Sequence, residues 1–130
     1  MTLSADLLRR YTDTIILNQL REGDSYGYEI SKRITDLSHG MLELKEATLY
    51  TAFRRMENGG LIISYWGNEN SGARRRYYSI TVEGRNRLAE DLSVWKETRK
   101  VLNTLLNDGE ARPVLKDRNG REIPVIRVEG

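Results

Sequence analysis

Cysteine is absent from this sequence, and with it go disulfides, thiolate nucleophiles and cysteine-bound zinc. Its absence accords with a reducing compartment, and a cytoplasmic protein is expected. Long apolar runs are missing too. Ile15-Ile16-Leu17 and Leu61-Ile62-Ile63 are the longest, too short for a membrane span or a signal-peptide core. The single histidine, His39, stands in a polar break beside Gly40 without the companions that a metal site or a general base needs. The 19 acidic residues are scattered among 21 basic ones, with no spaced pair in an apolar setting to tune a catalytic pKa. No phosphate loop, internal repeat or low-complexity block is present. No catalytic residue, metal ligand or cofactor is therefore predicted, and an enzyme is not expected.

What is present is a chain of 130 residues, enough for one domain with a modest core or for a small domain that shares its stability with a partner. The composition is 38% hydrophobic and 31% charged, with a net charge of only +2. Affinity for nucleic acid must then come from where the cations cluster rather than from their total.

They cluster in residues 42–81. Within 47–58, Leu49, Ala52, Phe53 and Met56 recur at helical spacing and predict a core-facing stripe, while Ala47, Thr51, Arg54 and Asn58 point the other way. Gly59-Gly60 ends that helix. Two runs rich in β-formers follow, 61–67 and 74–81, separated by the turn-like Asn68-Glu69-Asn70-Ser71-Gly72. Arg74-Arg75-Arg76 opens the second run. Alternation sends Arg75 and Tyr77 to one side and Arg74, Arg76, Tyr78 and Ile80 to the core side, with Arg74 close enough to the tip to reach outward regardless. A helix followed by a two-stranded wing with cations at its tip is an arrangement that reads DNA.

The flanks support that unit. Ser4 or Asp6 can cap a first helix reaching about Leu20, with Leu8, Tyr11, Ile15 and Leu20 on one stripe and Leu7, Thr14 and Leu17 on a neighbouring one. Asp24 or Ser25 caps a second helix over 26–38, whose face is Tyr26, Ile30, Ile34 and Leu37. Residues 41–44 read as a short strand. Thr81 is placed to cap a last helix over 82–107, in which Leu88, Leu92, Trp95, Leu102 and Leu106 keep a near-heptad spacing interrupted by Arg99. Such a seam predicts dimerisation, which would supply two reading helices to a two-fold DNA site. The expected fold is mainly α with a small β-hairpin: a winged helix-turn-helix over 1–81, a dimerisation helix over 82–107, and an extension over 108–130. In that extension Asn119-Gly120 is a turn dipeptide, but a two-residue loop would set Asp117 opposite Glu122 and Arg118 opposite Arg121. A loosely packed hairpin, an arm or a disordered tail are the alternatives there.

Glu46-Ala47-Thr48-Leu49-Tyr50, the run Arg54 through Ile62, Ser64-Tyr65-Trp66, and Arg74 through Thr81 with Gly84 closely resemble the PadR family of bacterial transcriptional regulators, as does Tyr26-Gly27-Tyr28-Glu29-Ile30. The resemblance covers residues 7–106, and Trp95 in a short single last helix is similar to the small subfamily of multidrug-responsive repressors. It implies a homodimer that represses promoters and releases operator DNA when a small molecule binds. Lys45, Thr48, Tyr50, Thr51 and Arg54 would meet bases or phosphates, and Arg74 and Arg75 the flanking backbone or minor groove. In the multidrug members aromatic ligands stack on a tryptophan pair at the dimer centre. Carried over, that lining is Leu7, Tyr11, Thr14, Asp91, Trp95, Arg99 and Leu102. Here Arg10, Asp91 and Arg99 make it more charged than a flat apolar slot; Arg99 would disfavour cationic ligands or would pair with Asp91. Trp95 as plain dimer core stays open, as does a winged-helix module whose main partner is a protein.

Overall fold

The computed structural model describes residues 11–68, 74–107 and 116–123. The predicted start of the first helix, Leu7, the turn residues 69–72 and most of the C-terminal extension lie outside them. Among the described residues the order is α1 (Thr12–Leu20), β1 (Ser25–Tyr26), α2 (Gly27–Leu37), α3 (Glu46–Asn58), β2 (Ile62–Trp66), β3 (Arg76–Ile80) and α4 (Val82–Leu105). This is the winged-helix plan with a long last helix. Contacts divide the chain into a unit up to Ser93 and a second from Val94 onward.

The core of the first unit joins every element except β1. Ile16, Leu17 and Leu20 come from α1, Ile30 and Ile34 from α2, Leu49, Ala52, Phe53 and Met56 from α3, Ile62 and Tyr78 from the wing, and Leu88 from α4. Phe53 stacks on Tyr78 with ring centroids 3.9 Å apart, so the helix and the wing share one aromatic centre. Truncating a fully buried phenylalanine typically costs about 3–5 kcal/mol. The face predicted for α3 is the face that is buried. That of α1 is rotated from the predicted stripes, which left out the fully buried Ile16. Leu37, predicted on the core face of α2, is 69% exposed; it is the last residue of the helix, and Ile34 is the last of that face to reach the core.

The third strand is not where the sequence suggested. Residues 41–44 form no strand, and Leu42 and Leu44 pack against the core as irregular chain. The Ser38 hydroxyl accepts the Leu42 N–H at 3.0 Å, which fixes the turn between α2 and α3. The open edge of β3 is instead taken by β1, with Ser25 opposite Tyr78 and Tyr26 opposite Tyr77, giving an antiparallel sheet of order β1-β3-β2. Ser25 therefore does not cap α2. Its hydroxyl donates to Glu29 at 2.6 Å, and the N-cap is Tyr26, which makes no side-chain cap bond.

Two junctions hold the wing. α3 closes on Gly60 at φ +76, where the Leu61 N–H reaches the Met56 carbonyl at 2.9 Å, a left-handed helix stop that glycine favours. Thr81 caps α4 as its position predicts: its hydroxyl accepts the Gly84 N–H at 3.0 Å and donates to the Gly60 carbonyl at 2.6 Å. In the extension, Lys116 bridges Glu122 and the Asp117 N–H reaches the Arg121 carbonyl at 2.8 Å. That leaves a three-residue loop ending on Gly120 at φ +79. Opposite charges now face each other, which removes the clash that a two-residue loop would create.

Candidate nucleic-acid interface

The outward face of α3 carries Ala47, Thr48, Thr51, Arg54, Arg55 and Asn58, all exposed, with Lys45 exposed at its N-cap. The side chains of Lys45, Thr48, Thr51 and Arg54 make no hydrogen bond or ion pair among the described residues. Their side-chain donors are therefore uncommitted among the described residues. Tyr50 differs. Its ring lies edge-on to Phe53 at 5.7 Å, and its hydroxyl occupies the space that a side chain at Gly27 would fill, 2.9 Å from an ideal Cβ there. Tyr50 is thus held by the missing side chain of α2 while 41% of its surface stays open.

Arg55, one position along, is committed. Its Nε donates to Asp13 Oδ2 at 3.2 Å and its Nη2 to Asp13 Oδ1, tying α3 to α1. Those bonds push the guanidinium pKa above its ordinary value against the lowering effect of partial burial. At the far end of α3, Glu57 accepts from the Ser64 hydroxyl at 2.5 Å, and Arg76 donates to the same hydroxyl at 2.7 Å and lies 3.5 Å from Glu57. Arg76 also sits over the Trp66 ring at 5.7 Å. The arginine triplet is therefore divided. Arg76 fixes the angle between wing and helix, Arg75 lies over the Tyr26 ring at 4.7 Å, and Arg74 is exposed with no partner among the described residues.

The outer face of the sheet is a row of tyrosines in register, Tyr26, Tyr77 and Tyr65. Tyr77 meets Tyr26 edge-on at 5.5 Å and stacks on Tyr65 at 5.7 Å. A side chain at Gly67 would strike the Tyr77 ring at 2.5 Å, so glycine is required there. The Tyr65 hydroxyl donates to Asp24 at 2.5 Å, which raises the phenol pKa and ties the wing to the loop before β1. Tyr78, on the inner face, is raised chiefly by burial. Neither Asp13–Arg55 nor this row was foreseen, since each joins residues remote in sequence. The alternation of Tyr26 with Ser25 was the one local hint of β1.

The residues carried over as a ligand lining are placed as follows. Leu7 lies outside the described residues. In the first unit the Thr14 hydroxyl donates to Asp91 at 2.8 Å, and Arg87 Nε donates to both Asp91 oxygens at 3.2 Å. Asp91, expected beside Arg99, is thus engaged by Thr14 and Arg87. Tyr11 is half-buried. In the second unit Trp95 and Leu102 are 37% and 42% exposed, and Val101, Leu105 and Leu106 more so. No group of three or more metal-binding side chains occurs among the described residues, and no helix among them is long and apolar enough to cross a membrane.

Residues 16–90 match the model of the transcriptional regulator PadR-like family. An uncharacterized protein of Lysinibacillus sphaericus is 37% identical over 102 residues, 78% of this chain and 94% of the relative. Among solved structures, a transcriptional regulator from Clostridium thermocellum is 49% identical, with a TM-score of 0.70 over 76% of this chain and 96% of that one. A PadR family transcription regulator from Clostridium difficile is 42% identical, with a TM-score of 0.68 over 75% and 99%.

Proposed function

The chain belongs to the PadR-like family of transcriptional regulators, which are DNA-binding regulators and not enzymes, and on that premise we propose that it is a cytoplasmic, homodimeric repressor released from its operator by a small molecule. The observation that carries the DNA part is the set of uncommitted side chains on one face of α3 together with Arg74 at the wing. Each protomer would place α3 in a major groove, with Lys45, Thr48, Tyr50, Thr51 and Arg54 at bases or phosphates. Arg74 and Arg75 would hold the flanking backbone or minor groove.

The dimerisation surface is proposed on the second half of α4 and the residue after it, where Val94, Val101, Leu102, Leu105 and Leu106 are exposed in the single chain. Leu88 and Leu92, in the first half of the same seam, serve the core of their own unit. An apolar row of that kind marks an interaction surface, and a second copy of the chain is the proposed cover. The effector seat is proposed beside it, lined by Leu7, Tyr11, Thr14, Asp91, Trp95, Arg99 and Leu102, for an aromatic ligand of the kind bound by multidrug-responsive members. The domain division 1–81, 82–107 and 108–130 is part of the same proposal.

The test is binding to the DNA upstream of the protein's own gene, measured by fluorescence anisotropy across a salt series. Arg74→Ala should weaken binding to every sequence and flatten the plot of log K against log salt by about 0.9 per subunit. An unchanged slope would take the wing out of the interface, and no binding to DNA at all would favour a protein partner instead.

A further inference from the structure

We infer that the groove between α1 and α3 is a seat for one phosphate of the DNA backbone, with Arg55 as its cation and Asp13 as the positioning residue that aims it, an inference that rests on the DNA-binding reading above. The groove encloses about 330 Å³ and is lined by Thr12, Ala47, Thr48, Thr51 and Arg55, a volume at the small end of small-molecule sites. Among the described residues its lining is three threonines, an alanine and an arginine, and holds no carboxylate. Two of its residues, Thr48 and Thr51, also belong to the proposed reading face, so a strand followed by α3 would run past the opening.

Asp13 and Arg55 divide their bonding in a way that suits this. The guanidinium has five N–H groups in a planar fork, and Asp13 takes those on the Nε and Nη2 side. The remaining edge, at Nη1 and Nη2, has no partner among the described residues. The Arg55 side chain is 56% exposed, while that of Asp13 is only 21% exposed. The guanidinium is therefore the more open partner of the pair, and of the two it is Arg55 that lines the groove. A guanidinium held on one edge can accept a phosphate on the other without first losing its rotamer freedom. A brace between helices would hold the two elements together without a threonine-lined opening beside it.

The experiment uses the full chain and the same upstream DNA fragment, over about 50–200 mM salt. Arg55→Gln should flatten the salt slope by about 0.9 per subunit, one phosphate's worth. If the pair only braces α1 on α3, Arg55→Gln lowers affinity and melting temperature and leaves the slope unchanged, which overturns the inference. Asp13→Asn removes a negative charge near the DNA, which by itself would strengthen binding. The expected result is the reverse, a loss of about threefold to tenfold as the fork is released, and equal or tighter binding overturns the positioning role. Should Arg55→Gln unfold, Arg55→Lys decides: it keeps the charge and the slope but loses the fork, and wild-type affinity would refute the seat. Titration with inorganic phosphate in the absence of DNA should give no saturable binding; saturable binding lost in Arg55→Lys would make this a free-anion site and refute a DNA seat. Salt-dependent binding by the unaltered protein separates the two readings. If it is missing, the DNA-binding reading falls and takes this one with it; if it is present and Arg55→Gln keeps the wild-type slope, only this one falls.

Discussion

Replacing Gly84 with alanine sets two effects of opposite sign against each other at one atom. Gly84 lies in the first turn of α4, where alanine has the higher helix propensity, an advantage of about 1 kcal/mol. A Cβ built there, however, would stand 2.1 Å from the Leu61 carbonyl oxygen, 2.7 Å from Ile80 Cγ1 and 3.1 Å from the Leu61 carbonyl carbon. The nearest atom is backbone, so no side chain can swing aside. α4 would have to retreat by about 1 Å or more, at the 1–3 kcal/mol typical of overpacking. The retreat also disturbs the Thr81 N–H bond to the same Leu61 oxygen at 3.0 Å and the Thr81 hydroxyl between Gly84 and Gly60. One or two such bonds are worth roughly 0.5–1.5 kcal/mol each. Packing wins, and Gly84→Ala should destabilise by about 2–3 kcal/mol, a fall in Tm of roughly 10–20 °C for a domain of this size. Thermal unfolding followed by circular dichroism measures it, with Gly23→Ala as control, since nothing lies within 4 Å of a Cβ at Gly23. A Gly84→Ala protein that melts at or above the wild-type temperature would refute the account of the wing–α4 junction.

Gly27→Ala should separate stability from recognition. Its Cβ meets the Tyr50 hydroxyl at 2.9 Å and Cζ at 3.3 Å, the far end of a side chain that can move, so the melting temperature should shift by less than about 1 kcal/mol warrants. DNA affinity should nevertheless fall several-fold as Tyr50 is displaced, and unchanged affinity by anisotropy would mean that Tyr50 takes no part. Trp95→Ala, made in a Trp66→Phe background because Trp66 is the other tryptophan, should abolish fluorescence changes on adding aromatic compounds. It should also abolish their effect on DNA binding; release of DNA by the same compounds at wild-type concentration would rule out the Trp95 seat.

How much of this was legible in the sequence depended on the distance over which the cause acts. The buried face of α3, the stop at Gly59-Gly60 and the Thr81 cap are set by residues within a few positions of each other, and a single sequence displays them. β1 is not set that way. Two residues, Ser25 and Tyr26, become a strand only because the edge of β3 is available more than fifty positions later, while 41–44, with an equal claim from composition, has no strand to pair with. The roles of Arg74, Arg75 and Arg76 were only partly visible for the same reason. Alternation put Arg76 on the inner face, but the Glu57–Ser64 pair and the Tyr26 ring that give Arg76 and Arg75 their partners come from other elements.

Those remote contacts constrain how a ligand could act. Asp13 and Thr14 are neighbours in α1, yet one holds α3 through Arg55 and the other holds the first half of α4 through Asp91. α4 is tied again to the wing through Thr81 and Gly60, and the wing to α3 through Glu57, Ser64 and Arg76. α1, α3, the wing and the start of α4 therefore form a closed ring of braces around the core. Turning α3 alone would break several of these bonds at once, at about 0.5–1.5 kcal/mol each and more where charge assists. Changing the separation of two intact heads in the proposed dimer breaks none of them. A ligand near Trp95 would thus work on the spacing of the heads rather than on the pose of a reading helix within its head. Reducing operator affinity tenfold in that way needs about 1.4 kcal/mol of preference for the spacing that does not fit DNA.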